Sequence, residues 1–279
     1  MFKEILDNTR KKNPLIHCIT NYVTANDCAN MLFACNASPC MADAEEEVSD
    51  IVKLASGVAI NLGTLSSARF EAMLIAGAEA SKAGKPIVFD PVGSGSSVSR
   101  TASAREFLTL VKPTVIRGNL SEIRSLSDLI VKHKPLMAGM TRGVDSPLND
   151  FKDAVKYSID LAKNTGSIVV VTGPTDIITD GVSARFVSNG CDLMKKITGA
   201  GCMMSVVMAA FISANPDNLL DSVTAASGAM GICGEIAKER MKPEDGNASF
   251  RNYLIDAMYN LDPEVLESRI KYRTAEAQI

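Results

Sequence analysis

The sequence predicts an α/β fold, a largely parallel central sheet with helices on both faces. Three observations carry this. Short β-branched runs alternate with longer segments of helical spacing along most of the chain. Hydrophobic residues make up 46% of the chain, enough for a sizeable core. With aromatics at 5% and no Trp, that core is aliphatic. The apolar runs end in polar residues, at Asn21, Asn61, Asp90, Arg117 and Thr172. Ligands of open parallel sheets bind beyond the carboxyl ends of the strands, where such residues would collect.

In order, residues 15–20 read as a strand, and residues 24–35 show helical spacing with Cys28, Met31, Leu32 and Cys35 on one side. Residues 38–42 form a short extended piece, and 45–54 a helix whose acidic first turn suits its dipole. Strands at 57–61, 87–90 and 114–117 alternate with helices at 66–83, 103–111 and 120–131. After a loose segment, 151–163 is helical and 167–172 is a buried-type strand. Residues 176–179 and 182–187 read as a hairpin around Asp180-Gly181. Helices follow at 201–214, 219–241 and 250–261. Gly228, Gly231 and Gly234 lower helix propensity in the second of these, as expected where a helix packs closely on a neighbour. The polar tail, 262–279, is expected at the periphery. With no repeat and no linker, residues 1–279 read as a single domain.

The net charge of −3, with Lys and Arg scattered, argues against a nucleic-acid partner. No apolar run approaches a membrane span, and the N-terminus lacks the apolar core of a secretory signal. Seven cysteines without CxxC spacing, and only two histidines, make a zinc site improbable and suit a reducing, cytoplasmic setting.

The segment Ile197-Thr198-Gly199-Ala200-Gly201-Cys202 runs into an apolar helix. Free N–H groups at a helix start, reached past glycines and reinforced by the dipole, form an anion hole. Cys202 would stand beside it. A covalent role for this thiol wants a histidine base, and neither His17 nor His133 carries a sign of being near. Asp90-Pro91-Val92-Gly93 places a carboxylate at a strand end, since proline holds the preceding residue extended. Asp90 and Glu122 are hard oxygen donors that suit Mg²⁺, usually through water and with phosphate oxygens completing the shell. No GxxxxGK[ST], complete GxGxxG or GxSxG motif is present.

Several motifs together resemble the hydroxyethylthiazole kinases, a thiamine-salvage branch of the ribokinase-like superfamily. They are Ile19-Thr20-Asn21-Tyr22-Val23-Thr24 followed by Asn26; Pro39-Cys40-Met41-Ala42; Ile60-Asn61-Leu62-Gly63-Thr64; Asp90-Pro91-Val92-Gly93; Arg117-Gly118-Asn119 with Glu122; Val171-Thr172-Gly173; and Thr198-Gly199-Ala200-Gly201-Cys202. The common family form has Thr where Ala200 stands; Ala keeps the backbone donors and loses a hydroxyl. The resemblance implies a ribokinase-like fold without a lid insertion and ATP-dependent phosphorylation of the alcohol of 4-methyl-5-(2-hydroxyethyl)thiazole. It implies that Arg117 and Thr172 contact ATP, that Met41 and Gly199 touch the thiazole with Asn21 nearby, and that Asp90 and Glu122 organise Mg²⁺. The amides from Gly199 through Gly201 to Cys202 would hold the transferring group. Cys202 would accept the alcohol proton late, with a pKa near ~8.5 or somewhat lower at a helix start. A trimer with sites completed by a neighbouring subunit is implied as well. The alternatives are a hydroxymethylpyrimidine kinase, an ATP-dependent dehydratase on the same scaffold, and a non-catalytic nucleotide sensor.

Overall fold

The computed structural model describes residues 1–136 and 151–276. Most of the loose segment before residue 151 and the last three residues of the tail therefore lie outside the described residues. Among those described, nine strands form one sheet. In chain order they are β1 (Leu15–Ile19), β2 (Ser38–Cys40), β3 (Gly57–Asn61), β4 (Ile87–Asp90), β5 (Val115–Asn119), β6 (Ile168–Thr172), β7 (Asp176–Thr179), β8 (Ser183–Val187) and β9 (Tyr272–Glu276). Across the sheet β2 is at one edge, then β1, then β3 to β9 in succession. The six strands from β2 across to β6 are mutually parallel, and β7, β8 and β9 are added antiparallel.

The parallel part follows from its connections. Helices α2 (Ala25–Ala34), α3 (Glu45–Leu54), α4 (Ser67–Lys82), α5 (Val98–Leu110), and α6 (Leu120–Ile130) with α7 (Phe151–Thr165) separate the six parallel strands. Crossovers of that length bring the chain back to start the next strand in the same direction. The period-two pleat then divides the core. In β6, Ile168 and Val170 face one cluster while Val169 and Val171 face the other. The first cluster is closed by α2, α8 (Ala200–Ala214), α9 (Leu219–Arg240) and α10 (Asn247–Tyr259), and the second by α3 to α7. Both sheet faces are therefore covered by helices. Among the described residues, no helix is long and apolar enough to cross a membrane.

Four elements escaped the sequence reading. Residues Phe2–Lys12 form α1, preceding β1, whose Phe2, Ile5, Leu6 and Thr9 are buried at helical spacing. Asp192–Lys196 forms a 3₁₀ turn with no buried residue. The polar tail holds α11 (Pro263–Arg269), with Leu266 fully buried, and then β9, whose five residues are exposed at the sheet edge. Helix starts also moved. The α5 helix begins at Val98, five residues earlier than its apolar spacing suggests, because Ser97 caps it by accepting from the Arg100 amide. The glycines of α9 do face close neighbours: Ile270 after α11 at Gly228, Asn189 at Gly231 and Met194 of the 3₁₀ turn at Gly234. A Cβ on Gly231 would fall 2.6 Å from that of Asn189 and 2.7 Å from its backbone.

Candidate active site

Parallel pairing brings the carboxyl ends of β1, β3, β4, β5 and β6 level, and their polar end residues meet. Asn61 on β3 lies in register with Asp90 on β4, and Asn119 on β5 with Thr172 on β6. Asn21 Nδ2 donates to Asn61 Oδ1 at 3.2 Å, and Asn61 Nδ2 donates to Asp90 Oδ2 at 3.0 Å. Arg117 spans the next gap, with Nη1 donating to Asp90 Oδ2 at 3.3 Å and Nη2 to Thr172 Oγ1 at 2.9 Å. The row is one continuous hydrogen-bonded chain from β1 to β6.

Helix α8 points its start at this row. Gly199 is its N-cap in the left-handed region, φ 87°, and no side chain caps the helix. Its first-turn amides are open to an anion. Gly201 lies flat on the Arg117 guanidinium, where a Cβ would fall 2.5 Å from Nη1 and 2.6 Å from Nη2. One turn on, Ser205 Oγ donates to Asp90 Oδ2 at 2.8 Å. Cys202 Sγ accepts from Asn21 Nδ2 at 3.3 Å and from Asn61 Nδ2 at 3.4 Å. Gly201→Ala should therefore displace Arg117 and lower kcat/KM by about tenfold or more, since an overpacked methyl costs ~1–3 kcal/mol. Steady-state kinetics beside a thermal melt test it; wild-type kinetics would show that the guanidinium moves aside freely.

Asp90 is fully buried. Burial pushes its carboxyl up, and the Arg117 charge with the three donors on Oδ2 only partly offsets that. Its Oδ1 has no partner. Glu122 is raised too, by burial first and by Asp90 second. The Glu122 carboxylate closes a capping box on α6, accepting from the Asn119 amide at 2.8 Å, and its other oxygen accepts from the Gly93 amide at 2.9 Å. Burial alone would lower Arg117, but Asp90 and Glu122 outweigh it and keep the guanidinium protonated. An orphaned carboxylate oxygen, with two acids that disfavour each other's ionisation, fits a divalent cation held partly through water. No cluster of three or more His, Cys, Asp or Glu able to hold a metal occurs among the described residues, so the remaining ligands would be phosphate and water.

The Cys202 expectation needs correction. Burial raises its thiol and Asp90 raises it further, against hydrogen bonding to Thr24, the Arg117 charge and Asn21, so the helix start does not leave it lowered. Met41 sits on the loop after β2, partly buried against the α8 side of the core and outside the hydrogen-bonded row. The strand-end pattern flags Asn61 and the family motif ending at Thr24 includes that residue, but nothing in the sequence marks Ser205 or Asp176. Thr24 closes on Gly199, where a Cβ would meet its Cγ2 at 2.6 Å, and donates through Oγ1 to Asn21 Oδ1. Asp176 accepts from the Gly173 amide at 3.0 Å and from Ser227 Oγ, fixing the turn after Thr172.

The profile of the hydroxyethylthiazole kinase family matches residues 6–264. The chain belongs to the hydroxyethylthiazole kinase family. Among relatives of this family, the hydroxyethylthiazole kinase of Clostridium acetobutylicum is 46% identical over 280 residues, covering 98% of this chain and 100% of that protein. The solved hydroxyethylthiazole kinase structure of Pyrococcus horikoshii OT3 superposes with a TM-score of 0.86 at 34% identity, over 99% of both chains. Pyridoxal kinase of Staphylococcus aureus in complex with ADP shares the fold, with a TM-score of 0.63 at 14% identity over 94% of this chain and 98% of that one. The chain is thus a kinase of the ribokinase-like α/β class, and among the described residues every strand belongs to the central sheet, leaving no separate lid.

Proposed function

We propose that this chain transfers the γ-phosphoryl group of ATP to the primary alcohol of 4-methyl-5-(2-hydroxyethyl)thiazole, as one kinase domain spanning residues 1–279. The observation that carries the reading is the meeting of the uncapped α8 start with Arg117, Asp90 and Cys202 at the strand ends, in a chain of this family. The Gly199, Gly201 and Cys202 segment holds the oxygens of the transferring group through backbone amides. Arg117 and Thr172 bind the nucleotide phosphates. Met41, Gly199 and Asn21 contact the thiazole. Asp90 and Glu122 would hold Mg²⁺, and the ion would supply charge neutralisation to the phosphates. The chain's own contribution is chiefly in-line positioning and charge neutralisation.

Cys202 is a neutral thiol in the resting site and takes the alcohol proton late, as the P–O bond forms. The two side-chain amides of Asn21 and Asn61 aimed at Sγ stabilise the thiolate that results. Cys202→Ala should lower kcat about a hundredfold or more, within the range of general-base effects, with ATP binding little changed. Cys202→Asp should retain activity. Wild-type turnover in the alanine variant would refute a catalytic thiol.

A coupled ADP-release assay with the thiazole alcohol, with hydroxymethylpyrimidine and with no acceptor tests the function. Thiazole-dependent ADP release is expected. Release on the pyrimidine alone, or acceptor-independent hydrolysis, would replace the reading with the pyrimidine kinase or the dehydratase, and ATP binding without release with a sensor. The assembly is a homotrimer whose neighbouring subunits complete the sites; Tyr22 and Val23, each 68% exposed directly after Asn21, supply apolar surface at the site's mouth. All seven cysteines are free, in keeping with a reducing cytoplasm.

A further inference from the structure

Among the described residues, one buried cation lies outside the phosphate machinery. Arg69, in the first turn of α4, is 5% exposed. Its guanidinium reaches the three loops that follow β1, β2 and β3. It donates through Nη2 to the Thr20 carbonyl, through Nε to Asp43 Oδ2 at 3.0 Å, and through Nη1 to the Thr64 carbonyl at 3.2 Å and hydroxyl at 3.0 Å. It also stacks 4.2 Å above the Tyr22 ring. Thr64 is held with φ 47°, a region uncommon for a β-branched residue. In that conformation both its oxygens meet Arg69, and its hydroxyl also accepts from the Tyr22 amide at 3.2 Å. The middle loop has a second tie, from His17 Nε2 to the Ala42 carbonyl at 2.8 Å.

These loops carry the acceptor side of the site. Thr20 precedes Asn21, whose amide touches Cys202, and Asp43 lies two residues after Met41. Backbone strain that persists is held by its surroundings, and here the holder is a forked cation that only arginine supplies. We propose that Arg69 is a positioning residue for the acceptor alcohol: it fixes the Thr20–Tyr22, Met41–Asp43 and Thr64 loops in the geometry that receives a small neutral heteroaromatic alcohol, and it leaves the nucleotide side alone. This rests on the thiazole kinase reading above.

The test is the split between the two substrates. Arg69→Met keeps most of the aliphatic length and removes every donor. It should raise KM for the thiazole alcohol about ten- to a hundredfold, the value of one charged hydrogen bond, with KM for ATP within about twofold. Arg69→Lys, which keeps the charge without the fork, should recover part of the loss. Asp43→Asn, at a half-buried partner, should give the same split more weakly, and it carries the test if Arg69→Met does not fold. Equal movement of both KM values, or a lower melting temperature with an unchanged thiazole KM, would overturn the inference. No thiazole-dependent ADP release from the wild-type protein would overturn the functional reading instead, so the two failures are distinct.

Discussion

Arg117→Met is expected to lower thiazole-dependent kcat/KM by about three orders of magnitude, the lower end of what an arginine supplies to phosphoryl transfer. The side chain bridges Asp90 and Thr172 and packs under Gly201, so it stands where negative charge grows between the strand ends and α8. Methionine fills much of the same space and provides neither donor nor charge. Its loss has a second consequence that pH reveals. The Arg117 charge is the largest influence opposing the upward push of burial on Asp90. Without it the carboxyl rises further, and the acid limb of the kcat/KM profile moves to higher pH. Lysine at 117 should restore part of the rate, because it returns the charge without the two-pronged contact. An Arg117→Met enzyme within tenfold of wild type, with an unmoved acid limb, would remove Arg117 from the transfer step.

Asp90→Asn should cost about a hundred- to a thousandfold in kcat, comparable to losing one preorganised electrostatic group, and should raise the Mg²⁺ concentration needed for half-maximal rate. An unchanged Mg²⁺ titration would take Asp90 out of the metal site. The same variant separates charge from shape through stability. Asp90 and Glu122 are both raised above their unfolded values and interact, so they titrate as a pair. The stability they contribute is fully present below the unfolded carboxylate range, near ~4, and is lost as pH rises through their raised folded values. In metal-free protein the stability of Asp90→Asn relative to wild type should therefore increase with pH across that window. Urea midpoints measured from pH 4 to 7 with a chelator present report it, and Mg²⁺ should shrink the difference by favouring the ionised pair in wild type. A difference flat with pH would mean that the pair ionises as freely in the folded protein as in water.

The parts of the site visible from sequence are those whose neighbours are set by strand order. Asn21, Asn61, Asp90, Arg117 and Thr172 each end an apolar run, and parallel pairing leaves them little choice but to meet. Gly201 beside Cys202 at the start of an apolar helix is visible for the same reason: an uncapped helix start with glycines has a recognisable composition. Arg69 and Ser205 carry no such mark. Ser205 reads as one hydroxyl in an apolar helix until the helix is laid across β4, and Arg69 reads as a surface charge in a first turn until three loops close around it. Helix α1 could have been found, since Phe2, Ile5, Leu6 and Thr9 repeat at helical spacing. Strand β9 could not, because all five of its residues are exposed and a polar edge strand has no hydrophobic period to read.

The amino-acid order by itself determined the layered α/β architecture, because short continuous apolar runs alternating with segments of helical period leave a parallel sheet between helices as the way to bury both. It also determined which residues stand at the strand ends. Only the tertiary structure decided their ionisation. Cys202 has a helix start that lowers a thiol and a buried neighbour in Asp90 that raises it, and the balance depends on how deeply both are covered, a property of the packed interior that no local stretch of sequence contains.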